Sequence, residues 1–463
     1  MRVRPRSILH VSMSRRPSKQ SRVPSRTELP PRFSGVEAAV RHGPFLACLA
    51  CSLPLLLWHS VFGKLWYFGD EWVELSEIPR FGLVHWLVYP FAENFVPLFK
   101  LLWAAAIYVF HGQYFALIAL DWSIHILNLL LLAELLKRWG MRPAAIVFAV
   151  LMLGMPWSNI ESLGWALQVH GLLSSTTYLL AWFCLLQLET GTERTRRWPL
   201  ILYFLCIIAA PLFHSRGILN GIALGAPLLI YGLSGTAESR RRWIWLGILS
   251  IAATFLLAGS VSYLAPAPNL KLMHGPNLLP MALHALYYLA LNPLFDIALL
   301  GWQQFGVLSV LAFGALKALI LVRGFLRSPR KLHPFLISIV VMDLGYSAIL
   351  GMGRYHAGLG NTISSRYQYM SLFCFAPFLA VVVDDIVRQI GRIRLRRTIY
   401  TAALLAWALF LLLPWRQRVG QWSDWRGSQV RQAMISDLPQ KTMPFSLITV
   451  REARELAVRF HLN

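Results

Sequence analysis

Apolar runs of about 17–25 residues recur along nearly the whole chain, each long enough to cross a hydrocarbon core of about 30 Å as a helix. Clear instances are 44–62 (PFLACLACSLPLLLWHSVF), 243–264 (WIWLGILSIAATFLLAGSVSYL) and 399–415 (IYTAALLAWALFLLLPW). Period-two alternation is not the pattern, so the chain predicts an all-α, polytopic transmembrane helical bundle of about eleven to thirteen membrane segments. Counting every run gives thirteen. That count sets the basic clusters ERTRR (193–197) and SRRR (239–242) on the wrong face, because Lys and Arg collect in cytoplasmic loops. Reading 95–136 and 278–322 each as one crossing plus a re-entrant or interfacial piece gives eleven. This second count satisfies every basic cluster, including Lys137 and Arg138, 323–331 (RGFLRSPRK) and 388–397 (RQIGRIRLRR).

Residues 1–42 carry ten Lys or Arg against two Glu and are rich in Ser and Pro, which predicts a disordered basic cytoplasmic tail. The membrane domain then covers 43–415. With the N-terminus inside, the first loop (63–94) lies outside, as do 157–164, 214–217, 265–278 and 352–368. The segment 416–463 becomes a short extracytoplasmic tail, too small for a catalytic domain of its own. Short, compact loops point to a multi-pass protein of a bacterial inner membrane.

Composition agrees: 56% of residues are hydrophobic and 14% charged. A net charge of +23 would indicate nucleic acid in a soluble protein. Here the cations sit in short clusters between apolar runs, so nucleic-acid binding is set aside. Cys48, Cys51, Cys184, Cys206 and Cys374 all lie inside apolar runs and behave as small hydrophobes, with no disulfide framework.

The most informative polar stretch follows the first span. YFGDEWVELSEIPRFGLVHWLVYPFAENFVPLF holds Asp70, Glu71, Glu74, Glu77 and Glu93, five of the chain's 21 carboxylates. Trp66, Tyr67, Phe68 and Trp72 place the Asp70–Glu71 pair at headgroup depth. There desolvation raises a carboxylate's pKa toward that of a general base. The same residues also read as a solvated acidic loop with interfacial Trp anchors. A second outside stretch, MGRYHAGLGNTISSRYQY (352–369), gathers Arg354, His356, Arg366, Tyr367 and Tyr369 without an acid. Arginine forks bind phosphate oxygens, and they equally snorkel to lipid headgroups. Arg216 in HSRG, and Lys271 with His274, are further anion-binding candidates. Asp121, His125 and Asn128 share one helix face, which helix-to-helix hydrogen bonding explains as readily as catalysis. Asp343 reads the same way. Asp384 and Asp385 lie beside Arg388 at a cytoplasmic helix end and read as a topological counterweight.

A first span followed at once by the acidic pair in FGDEW, a His-containing stretch and a Pro-Leu entering the next helix resembles the GT-C superfamily of membrane glycosyltransferases. That superfamily includes protein O-mannosyltransferases and bacterial lipid A sugar transferases. HGQYFALIALDWSIHILNLLLLAELLKRWG (111–140) is similar to the family's helix ending in a basic residue and glycine. PWSNIESLGW (156–165) resembles its outside turn, carried by Pro156 and Glu161. The Ser365–Arg366–Tyr367 triplet looks like a late-loop feature of bacterial relatives. The likeness covers roughly 44–235, and the C-terminal soluble domain of several branches is lacking.

The resemblance implies an inverting transfer of a sugar from a polyprenyl-phosphate donor to a hydroxyl of a lipid, glycan or protein acceptor. Asp70, or Glu71 beside it, would be the base. Arg216, Arg354 and Arg366, with His356 and Tyr367, would bind the donor, and Glu93 or Glu161 would orient the acceptor. Glu93 or Glu161 would alternatively hold a divalent cation, since oxygen-rich clusters suit Mg²⁺ or Mn²⁺, but no spacing demands a metal. Two rivals are a transporter or flippase for a lipid-linked or anionic solute, and a polysaccharide polymerase or ligase. The first would show internal repeats and midplane charges, the second one large late outside loop.

Overall fold

A computed structural model describes residues 35–91, 94–190, 193–234, 237–264, 277–292, 295–389, 393–444 and 446–462. The chain divides into two units, 1–39 and 40–463, and the second carries the helical bundle. Among the described residues helices joined by short turns are the only regular elements, with two isolated bridges, Phe91 to Asn94 and Thr442 to Thr449.

The first apolar run is a broken segment. Helix α1 (Gly35–Ala50) stops at a turn over Cys51 and Ser52, followed by α2 (Leu53–Leu57) and α3 (His59–Phe62). Pro54 explains the break, since it lacks an N–H and disfavours helical backbone at the residue before it. The acidic loop is itself helical, forming α4 (Asp70–Phe81) and α5 (Leu83–Val88).

Next come α6 (Pro97–Val109), α7 (Tyr114–Arg138), α8 (Pro143–Gly154), the short α9 (Ile160–Gly164), α10 (Val169–Thr190) and α11 (Glu193–Phe213). They are followed by α12 (Leu219–Ser234), α13 (Ala237–Leu264), α14 (Leu278–Leu291), α15 (Phe295–Arg327), α16 (His333–Arg354), α17 (Gln368–Gln389) and α18 (Ile393–Leu412). The chain closes with α19 (Pro414–Ser423), a π-turn over Asp424–Ser428, α20 (Gln429–Ile435) and α21 (Val450–Arg459).

Among the described residues eight helices are long and apolar enough to cross a membrane. A ninth crossing results if α8 and the Trp157–Gly164 segment, bent by 46°, form one broken span. These helices mark a multi-pass integral membrane protein. The fall below eleven comes from the broken first run and from α18, which is not among the eight. The short α6 and α14, at 13 and 14 residues, remove two of the thirteen expected spans, as the count of eleven anticipates. At about 1.5 Å per residue such helices reach only about 20 Å. Accordingly 95–136 is one short helix plus one full-length helix, and so is 278–322.

Ion pairs fix which helix ends lie together. Asp384 takes Arg142 and Arg388, and Asp385 takes Arg323 at 2.9 Å and Arg327 at 3.6 Å. This basic collar joins the C-terminal ends of α15 and α17 to the turn after α7. The N-terminal ends of α7 and α17 therefore lie at the other end of the bundle, with the first loop, the 157–168 turn and the 355–367 loop. The stripe on α7 is structural at two of its three positions. His125 meets the Tyr369 hydroxyl at 3.2 Å, and Asn128 donates to the Leu172 carbonyl and accepts from the Thr176 hydroxyl.

The C-terminal segment folds back over the first loop. The Trp415 indole packs against Phe62 and Trp122 and donates to the Met155 carbonyl. Arg431 donates to the Lys64 carbonyl at 2.9 Å, and α21, held by a capping box from Thr449 and Glu452, packs on α4. The chain end rests on the turn between α6 and α7, where Gly112 has a φ of +69°. A Cβ there would come within 2.8 Å of the Phe460 and His461 carbonyls. Gly112→Ala is therefore expected to lift the tail. In limited proteolysis of detergent-solubilised protein, the variant should be clipped within 440–463 at doses the wild type resists. Equal resistance would contradict this docking.

Candidate functional site

Arg426 sits in the π-turn with its side chain 4% exposed, and four aromatic rings surround it. Its guanidinium carbon lies 3.5 Å from the Trp422 ring centre, 4.2 Å from Phe68, 4.7 Å from Trp165 and 5.8 Å from Trp425. Each contact is a cation–π interaction worth about 0.5–2 kcal/mol, more when water is excluded. Burial lowers its pKa to about 10, with Glu161 the largest opposing influence, so the group stays cationic at neutral pH.

Its ionic partner is Glu161, at 3.7 Å from Nη2. Glu161 is held from one side. Its Oε2 accepts from the Arg366 backbone N–H at 2.7 Å and the Ser364 hydroxyl at 3.1 Å, with the Arg366 Nε at 3.5 Å. Among the described residues Oε1 meets Arg426 alone, beyond hydrogen-bond distance. Glu161 lines an open cleft of about 430 Å³ together with Trp157, Ser364, Arg418, Trp422 and Trp425. That volume lies within the roughly 300–1,000 Å³ of small-molecule sites. Around Glu161 stand two guanidinium groups, the Arg366 backbone N–H and the Ser364 hydroxyl, and among the described residues the cleft has no second carboxylate. Among the described residues no three His, Cys, Asp or Glu side chains converge for a metal.

The acidic pair splits. Asp70 is exposed at the start of α4. Glu71 is fully buried and accepts from the Phe68 N–H at 2.8 Å, the Tyr114 hydroxyl at 3.2 Å and the Leu167 N–H at 3.2 Å. It therefore ties α4 to α7 and to the turn before α10. Burial raises its pKa to about 8, against the lowering pull of those donors and of Arg426. Asp121, also fully buried, faces the same region with both carboxylate oxygens unpartnered.

No family model matches the chain, and no curated protein or solved structure matches it. The site is thus read from its own geometry.

The remaining candidates fall into separate places. Arg216 is buried, donates to the Gly171 carbonyl and lies 5.5 Å from the Tyr346 ring centre. Beside it His170 and His214 stack at 4.3 Å, and His214 is held neutral by burial and by His170, Arg216 and Arg354. Arg354 is half-buried, His356 exposed, and Tyr367 buried with its carbonyl accepting from the Tyr288 hydroxyl. Glu93, Lys271 and His274 lie outside the described residues.

Sequence reasoning missed Arg418, Trp422 and Arg426, although QRVGQWSDWRG is dense in Trp and Arg for a tail. It also missed Lys100, fully buried on α6 and paired with Glu74 at 3.0 Å and Glu77 at 3.7 Å. The Trp86 indole donates to Glu74, whose pKa burial raises to about 7 despite Lys100.

Glu71 carries a pH signature. In the unfolded chain it loses its proton near 4.5, in the fold near 8. Between these values the fold binds a proton that the unfolded chain lacks, so stability falls as pH rises through the window. Glu74 adds a slope of the same sign. Glu71→Gln should flatten the decline of the thermal midpoint between about pH 5 and 8 in detergent. An unchanged slope would contradict the burial of an ionisable Glu71.

Proposed function

We propose that this chain is a membrane glycosyltransferase that moves a sugar from a polyprenyl-phosphate carrier to an acceptor hydroxyl, with inversion. The observation that carries the reading is the cleft. Glu161 lines an opening walled by Trp157, Trp422 and Trp425, is clamped through Oε2 by the Arg366 N–H and the Ser364 hydroxyl, and has the Arg366 and Arg426 guanidinium groups beside it. Indole faces stack on the apolar faces of sugar rings, a carboxylate oxygen accepts from sugar hydroxyls, and guanidinium groups hold phosphate. The cleft lies at the end of the bundle opposite the basic collar. By the positive-inside rule that end is extracytoplasmic, on the outer face of a bacterial inner membrane. The order of FGDEW, PWSNIESLGW and the Ser365–Arg366–Tyr367 triplet, which resembles that of the GT-C superfamily, favours the same reading.

In the proposed step Asp70 takes the proton of the acceptor hydroxyl, whose oxygen forms the new bond to the sugar's C1. The bond from C1 to the lipid phosphate breaks on the opposite face, and the phosphate leaves with the electron pair as a stable anion. Arg354 and Arg366, with Arg216 behind them, offset its charge. Glu161 holds the acceptor in line, and Glu71 positions the loop that presents Asp70. Phe68, two residues before Asp70, sits 5.7 Å from Trp425 at the cleft wall.

The test is turnover of a radiolabelled panel of polyprenyl-phosphate sugars by purified protein. Wild type should transfer or hydrolyse at least one donor. Asp70→Asn should lose about 10²–10⁴-fold, the usual worth of a general base. A folded wild type that binds no member of the panel, or an Asp70→Asn variant at full rate, would overturn the reading.

A further inference from the structure

The cleft is lopsided in charge. Among its described lining residues Glu161 is the one acid, and Arg366 and Arg426 already answer it at 3.5 and 3.7 Å. Arg418 adds a third guanidinium, and it has no acid to answer. It is exposed, lies 4.4 Å from the Trp157 ring centre and reaches only the Gln421 amide oxygen, at 3.4 Å. Among the described residues it makes no ion pair. An exposed arginine held beside an indole by a cation–π contact keeps N–H groups available to an anion. A second observation points the same way. The Trp422 indole N–H, at the cleft wall, is buried without an acceptor, as are Nε and Nη1 of Arg426 behind it. Donors outnumber acceptors here, and a ligand that satisfies them brings acceptor oxygens of its own.

We infer that the cleft takes a sugar bearing an anionic substituent, a carboxylate or a phosphate. Its ring lies against the Trp walls, a hydroxyl reaches Glu161 Oε1, and its anion pairs with Arg418. This rests on the transferase reading and specifies the acceptor class, leaving the donor phosphate to Arg354 and Arg366. A neutral sugar could offer hydroxyl oxygens to the Trp422 donor but no counter-charge to Arg418, so the charged form gains a charge-assisted pair that the neutral form lacks.

The experiment measures binding of soluble methyl glycosides to the full chain in zwitterionic nanodiscs, by tryptophan fluorescence and calorimetry. One pyranoside is compared as its neutral, 6-carboxylate and 6-phosphate forms. Both charged forms should bind at least about tenfold more tightly than the neutral one, with the preference shrinking at high salt. Arg418→Gln should bring the three within about twofold, while Arg418→Lys keeps part of the difference because it keeps the charge without the fork. Arg418 is exposed, so neither variant threatens the fold.

Equal binding of all three forms, or a preference that survives Arg418→Gln, overturns the inference and leaves the transferase reading standing. If no glycoside binds at all, both fall. A parallel arm adds an anionic phospholipid to the nanodiscs. If it quenches the cleft tryptophans through Arg418 while charged glycosides do not bind, the anion is a lipid headgroup and the inference is overturned.

Discussion

A guanidinium buried among four rings holds this site together. Arg426 comes from the last fifty residues, Phe68 from the first loop, Trp165 and Glu161 from the turn after α8, and Arg366 enters through Glu161. Four stretches far apart in sequence therefore converge on one cation. A charge taken from water is costly unless paired, and breaking a buried pair from one side costs about 3–5 kcal/mol. The aromatic faces supply part of the compensation and Glu161 the rest. Glu161 is fixed through Oε2 by the Arg366 N–H and the Ser364 hydroxyl, leaving Oε1 to face Arg426.

Buried charge is handled the same way elsewhere. Lys100 sits in a dry pocket with Glu74 and Glu77 and holds α4 against α6. Lys317 and Asp343 pair within the bundle, tying α15 to α16, and the Lys317 ammonium also donates to the Leu289 carbonyl. Ionisable groups at membrane depth are expensive and face protein partners, and each pair here joins two helices. Opposite ends of the bundle use charge differently. At the collar, half-exposed arginines surround Asp384 and Asp385, where screening leaves each pair worth little. At the cleft end Arg426 and Glu71 are dry, the first enclosed by rings and the second by hydrogen-bond donors.

Much of this architecture could be read from residues alone. Long apolar runs announce the helices, and the basic clusters separate the two ends, because both depend only on local composition. The Asp384–Asp385 pair, read from the sequence as a topological counterweight beside Arg388, forms ion pairs with Arg142, Arg323, Arg327 and Arg388. What composition does not carry is the pairing of distant segments. Glu71 and Asp70 are neighbours in sequence, yet one is enclosed by donors from Phe68, Tyr114 and Leu167 and the other is exposed. Helical geometry turns adjacent residues about 100° apart, so a pair shares a loop without sharing an environment. The tail was undervalued for the opposite reason. A short segment docked on a larger body needs no core of its own. Lys100 lies inside an apolar run, where only the tertiary partners on α4 reveal its role.

Arg426 and Glu161 act as one unit in assembling the cleft, and a double-mutant cycle tests this most directly. Glu161→Gln, Arg426→Gln and the pair are compared by thermal unfolding of the full chain in detergent. Each single change is expected to be strongly destabilising and the double to cost less than their sum, with a coupling of about 1–3 kcal/mol. Single effects that simply add, within about 0.3–0.5 kcal/mol, would mean the two charges are independent. The cleft would then owe its form to the surrounding rings alone.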